Sequence, residues 1–130
     1  VSILIISHDG IGTSLIDTAK HMISHCPLTI EILDTNLEYD PDELYTTAFS
    51  LVEKIDQGDG ILILTDLFGS TPSNIAHRLS ERNNINVVTG INLSMLIRIL
   101  NYPHLNLESM TKKAFSGGID GIKINSGDIS

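Results

Sequence analysis

The chain has 130 residues, 42% of them hydrophobic and 18% charged, with a formal net charge of −8. That length and balance fit one folded domain with its own core and exclude a disordered segment. The acidic excess argues against nucleic acid or an anionic membrane as the main partner and for a basic protein partner.

The chain opens on an apolar run, residues 3–6, that leads into Ser7, His8, Asp9 and Gly10. A run this short, bounded by turn formers, predicts a strand. Leu15, Ala19, Met22 and Ile23 then predict one face of a first helix. The lone cysteine, Cys26, follows it and reads as a packed residue. A single cysteine permits no internal disulfide and suits a reducing compartment. Residues 29–33 predict a second strand, interrupted at Glu31. The second helix has Leu44, Ala48, Leu51, Val52 and Ile55 inward. Asp40 is its expected cap, Pro41 its first helical position, and Glu43 completes a capping box.

Residues 61–64 predict a third, wholly apolar strand. A third helix starts at Thr71-Pro72 with Ile75, Ala76 and Leu79 inward. Residues 85–88 predict a fourth strand. Asn92 is the expected cap of a fourth helix, with Leu93, Leu96, Ile97 and Leu100 inward and Pro103 past its end. A weaker helical pattern covers about 107–115, and a short Ile122-Lys123-Ile124 segment closes the chain. No run approaches the ~20 apolar residues of a membrane span. The first apolar run lacks the basic flank of a signal peptide, so a cytoplasmic protein without direct membrane insertion is expected.

Alternating strands and helices call for an α/β fold: an open, mainly parallel sheet with helices on both faces. Wholly apolar strands are covered on both sides, which puts residues 3–6 and 61–64 in the middle. Right-handed crossovers then give the strand order 2-1-3-4. The chain reverses direction between strands one and three, where open α/β sheets hold their ligands.

His8 lies just past strand one and Asp66 just past strand three, so the two are expected to meet. Asp66 can accept from one ring nitrogen and leave the other as a nucleophile. Gly69, Ser70 and Thr71 lead into the third helix, whose free N–H groups favour an anion. Together these residues suffice in principle for phosphoryl transfer, which needs mainly positioning and charge stabilisation. Each also has a plainer role: His8 and Asp66 as polar turn residues, Thr71 as a cap only. His21 and His25 are expected to share a helix face at i, i+4, with no third metal ligand apparent and a solvated face the plainer role, and His77 and His104 read as surface residues. No cofactor or metal is expected.

Three stretches resemble the mannose-family IIA domain of the bacterial phosphoenolpyruvate-dependent sugar phosphotransferase system. They are the apolar strand ending in Ser7-His8, "TDLFGSTPSNIA" (65–76) and "GINLSMLIRIL" (90–100). The resemblance covers nearly the whole chain and implies a single domain over 1–130. It implies that the histidine matching His8 accepts a phosphoryl group from phospho-HPr and passes it on, usually to a IIB protein. It implies that Asp66 orients His8 and that Gly69, Ser70 and Thr71 surround the phosphoryl group. It also implies a homodimer, often with a terminal strand exchanged, for which residues 122–124 are the candidate antiparallel strand. Transporter members commonly carry Gly after the histidine, where this chain has Asp9. With no IIB or membrane domain in the sequence, the chain resembles the stand-alone IIA proteins, and a regulatory role becomes an alternative to sugar transport.

Three other readings stay open. One is a receiver-like domain, with Asp9, Asp34 and Asp66 holding Mg²⁺ and Asp66 accepting phosphate. Another is the phosphoryl carrier of a dihydroxyacetone kinase system. The third, a flavodoxin-like binding module, has only Phe68 to offer for stacking near the switch point.

Overall fold

A computed structural model describes residues 1–36 and 38–127. The elements run β1 (Ser2–His8), α1 (Ile11–Met22), β2 (Ile30–Thr35), α2 (Pro41–Ile55), β3 (Ile61–Thr65), α3 (Thr71–Leu79), β4 (Ile85–Thr89), α4 (Leu93–Leu100) and α5 (Leu107–Asp120). In the four-stranded sheet of the described residues each strand pair is parallel, and the order is β2-β1-β3-β4, as the apolar patterning predicts.

Period-two alternation divides the core into two layers. Ile3, Ile5, Leu62 and Leu64 face α1, α4 and α5, where they meet Ile16, Ala19, Leu96, Ile99 and Met110. Leu4, Ile6, Ile61 and Ile63 face α2 and α3, against Leu44, Ala48, Val52, Ile75 and Leu79. Each side chain of residues 3–6 is fully buried, worth about 1.5–3 kcal/mol apiece. That burial holds β1 rigid up to the histidine at its end.

Several local expectations are corrected. The buried positions of α1 are Gly12, Ile16 and Ala19. Met22 is exposed, and Ile23 is the extended C-cap, half-buried only. In α4 the buried set is Met95, Leu96, Ile99 and Leu100, while Leu93 and Ile97 are half-buried. The fifth helix runs five residues further than its pattern predicts, to Asp120. Asp40 stands at the N-cap of α2, but its side chain makes no capping bond. Asn92 does cap α4, accepting from the Met95 N–H at 2.8 Å. His25 lies beyond the end of α1 and shares no helix face with His21. Exchange of residues 122–124 between two copies is not a property of one chain; within this chain residues 122–125 form no strand, and Ile122 and Ile124 are exposed.

Candidate functional site

The site is built where two registers end at different points. The β1–β3 pairing stops at Ile6↔Thr65, whereas β1–β2 continues to His8↔Thr35. His8 therefore has a strand neighbour on one side only. On the other, the first residue past β3 is Asp66, and its carboxylate takes over from the ladder. The His8 backbone N–H donates to Asp66 Oδ2 at 2.9 Å, and His8 Nδ1 lies 2.7 Å from the same oxygen. The Leu67 N–H donates to Asp66 Oδ1 at 2.9 Å.

An ionised carboxylate only accepts, so this contact assigns the ring proton to Nδ1 and leaves the Nε2 lone pair unprotonated. Burial pushes the Asp66 carboxyl up, but the His8 backbone N–H, its ring N–H and its charge outweigh that and hold it below the usual carboxylate value. The His8 side chain is 43% exposed and that of Asp66 10%. The imidazole faces solvent; the carboxylate stands behind it.

The turn of residues 67–70 is closed on itself. The Ser70 hydroxyl donates to the Leu67 carbonyl at 2.6 Å, as does its N–H at 3.2 Å. The Gly69 N–H donates to Ser73 Oγ at 3.3 Å. Ser70, not Thr71, is the N-cap of α3, and its side chain makes no capping bond. Thr71 is the first helical residue and is exposed. The structure thus joins His8 to Asp66 directly, sets Gly69 and Ser70 in the turn that follows, and puts Thr71 at the first position of α3.

The cleft against His8, about 530 Å³, is lined on its other sides by Asp9, Thr35, Asn36 and Glu38. Thr35, Asn36 and Glu38 carry no motif of their own. Their signal is topological: β2 neighbours β1, so its carboxyl end opens onto the same site. Ser7 and Gly12 were also silent. The Gly12 N–H donates to the buried Ser7 Oγ at 2.9 Å. A Cβ on Gly12 would stand 2.8 Å from both Ile5 Cγ2 and Ser7 Oγ. Only glycine lets α1 begin this close to the sheet behind His8.

In the turn that follows Asp66, Leu67 and Phe68 are exposed, and the Phe68 ring meets His77 edge-on at 5.9 Å. His21 Nδ1 bonds the Asp17 carbonyl at 2.8 Å. Among the described residues no group of three or more His, Cys, Asp or Glu side chains could hold a metal, and no helix is long and apolar enough to cross a membrane.

A 2-1-3-4 parallel sheet with helices on both faces, and a histidine–carboxylate pair at its switch point, defines an open α/β fold with its candidate site outside the carboxyl ends of the central strands. The chain belongs to the EIIA-man family, the PTS system fructose IIA component, which matches residues 2–114. It is thus a phosphotransferase-system component in the general sense. Solved structures share the fold. The mannose/sorbose-specific IIA subunit of Enterococcus faecalis has 18% identity and a TM-score of 0.85, over 99% of this chain and 98% of that one. EIIA from Streptococcus agalactiae has 23% identity and a TM-score of 0.80, over 95% of both. The PTS IIA protein associated with the fucose utilization operon of Streptococcus pneumoniae has 24% and 0.74, over 88% of both.

Proposed function

We propose that His8 is a phosphoryl carrier that takes its group from phospho-HPr on Nε2 and passes it to a IIB protein or presents it as a regulatory signal. The observation that carries this is the 2.7 Å contact between His8 Nδ1 and Asp66 Oδ2, which presents the opposite ring nitrogen. The Nε2 lone pair attacks phosphorus, and the donor's N–P bond breaks with its electron pair returning to the donor imidazole. The Nδ1 proton stays in place, the His8 ring becomes cationic, and Asp66 compensates the charge. Thr71 and the start of α3, including Gly69 and Ser70 once their internal bonds exchange, would receive the phosphoryl oxygens.

Phosphorylation of Asp66 itself is disfavoured by the same geometry. Both its oxygens are occupied, Oδ2 by His8 and Oδ1 by the Leu67 N–H, and its side chain is the buried member of the pair. We further propose a cytoplasmic protein, folded as one domain over 1–130, that forms a homodimer. Phe115 and Ile119, at i and i+4 on α5, and Ile122 and Ile124 just past its end are all exposed, which supports a self-association face that includes residues 122–124. Reconstitution with phosphoenolpyruvate, Enzyme I and HPr, read by intact mass, tests the carrier role. A gain of one phosphoryl group that is stable in base and labile in acid is expected; a base-labile group would move the assignment to a carboxylate, and no gain would end it.

A further inference from the structure

The peptide unit that joins Ser7 to His8 is held at both ends by side chains from the two flanking strands. Its N–H, on His8, donates to Asp66 Oδ2 at 2.9 Å. Its carbonyl, on Ser7, accepts the hydroxyl of Thr35 at 3.1 Å. Asp66 follows β3 and Thr35 ends β2, so β1 is clamped between its neighbours at the residue that bears the imidazole. Thr35 is 3% exposed, lies opposite His8 in the register and lines the same cleft.

We propose that Thr35 is a positioning residue for His8: its hydroxyl fixes the Ser7–His8 peptide so that the ring stays in its Nδ1–H form against Asp66. This rests on the reading of His8 as the carrier.

Two physical effects link the bonds. The first is geometric. Asp66 Oδ2 serves both the His8 backbone N–H and the ring, so a rocking of the peptide plane displaces both contacts at once. The second is electronic. A donor on the peptide carbonyl polarises the amide and strengthens the hydrogen bond that its N–H donates at the other end. A hydroxyl that only satisfied its own burial would affect stability and leave the ring alone.

Imidazole ¹⁵N NMR of Thr35→Val and Thr35→Ser separates these roles, because it reads the tautomer of unphosphorylated protein and needs no donor. Thr35→Val keeps the shape and removes the donor. It is expected to move part of the His8 population from Nδ1–H to Nε2–H and to slow phosphorylation about three- to ten-fold, the range of one ordinary hydrogen bond. The loss should fall on the transfer rate and not on the donor concentration for half-saturation. Thr35→Ser should restore both readouts. Should the valine variant fail to fold, Thr35→Ala supplies the same comparison without a methyl against the carbonyl. A wild-type tautomer ratio in a folded variant lacking the hydroxyl would overturn the proposal, as would a serine variant that shifts as far as valine. Failure of phosphorylation in the wild type would instead end the carrier reading and leave the tautomer result standing.

Discussion

One carboxylate oxygen of Asp66 holds His8 twice, by its backbone N–H at 2.9 Å and by its ring nitrogen at 2.7 Å. The backbone and the ring are therefore referred to the same point, and the imidazole cannot turn without losing contact with an acceptor that also anchors its strand. For the proposed nucleophile, a 43%-exposed side chain, this replaces the packing that would hold a buried residue. The first prediction follows from it. His8→Ala removes the ring and none of the core, so the variant should fold and show no gain of mass with phospho-HPr. Labelling at the wild-type level would place the acceptor elsewhere.

Asp66→Asn tests the support. An amide can donate to Nδ1 and so favour the tautomer whose proton blocks Nε2. Loss of a charge-assisted bond of about 1.5–3 kcal/mol corresponds to a roughly ten- to hundred-fold slower transfer in a folded protein. A wild-type rate would remove Asp66 from the site.

The same pair sets an acid limit. Asp66 titrates below its ordinary value in the folded state, so the unfolded chain takes up its proton first as pH falls. Its contribution to stability is fully present above the unfolded value, about 4, and is lost as pH drops through that value and the lower folded one. Urea midpoints of wild type and Asp66→Asn should therefore converge as pH is lowered from 6 toward 3. A constant gap across that range would mean that the carboxylate's charge adds nothing to stability.

The sheet was legible because residues 3–6 and 61–64 are apolar without interruption, which only strands covered on both faces require. The helix faces were less so. In α4, "LSMLIRIL" is apolar nearly all round, and its period alone does not separate Met95 and Ile99, which are buried, from Leu93 and Ile97, which are half-buried. In α1 the residue nearest the sheet is Gly12, which carries no hydrophobic signal, so the apparent face slid toward Met22. His8 and Asp66 were legible from topology. Thr35 and Glu38 carry no motif of their own: topology brings the end of β2 and the residues after it to the histidine, but does not say which of them line the cleft.

Gly12 gives a prediction of its own. With a Cβ 2.8 Å from Ile5 Cγ2 and Ser7 Oγ, Gly12→Ala must push α1 off β1 or displace Ser7, whose oxygen holds the Gly12 N–H. Overpacking of this kind costs typically 1–3 kcal/mol. The urea midpoint should fall with an unchanged slope. An unshifted midpoint would show that the helix start has room to spare.

The last prediction concerns how the donor approaches. The chain carries 16 acidic against 8 basic residues, and two of the acidic ones, Asp9 and Glu38, line the cleft at His8. Leu67 and Phe68 stand exposed in the turn that follows Asp66. The charges act at a distance and the apolar pair on contact, so they govern different steps. Added salt shortens the screening length from about 10 Å at 0.1 M to about 3 Å at 1 M. The second-order rate of transfer from a donor with a basic rim should fall over that range, while the first-order rate inside the complex stays nearly constant. Asp9→Asn and Glu38→Gln should each flatten the salt dependence, and together more than either alone. Phe68→Ala should leave the salt slope unchanged and speed dissociation instead. Quenched-flow transfer over a salt series measures both rates. A second-order rate that is indifferent to salt would assign docking to the apolar turn and leave the acidic rim no part in recognition.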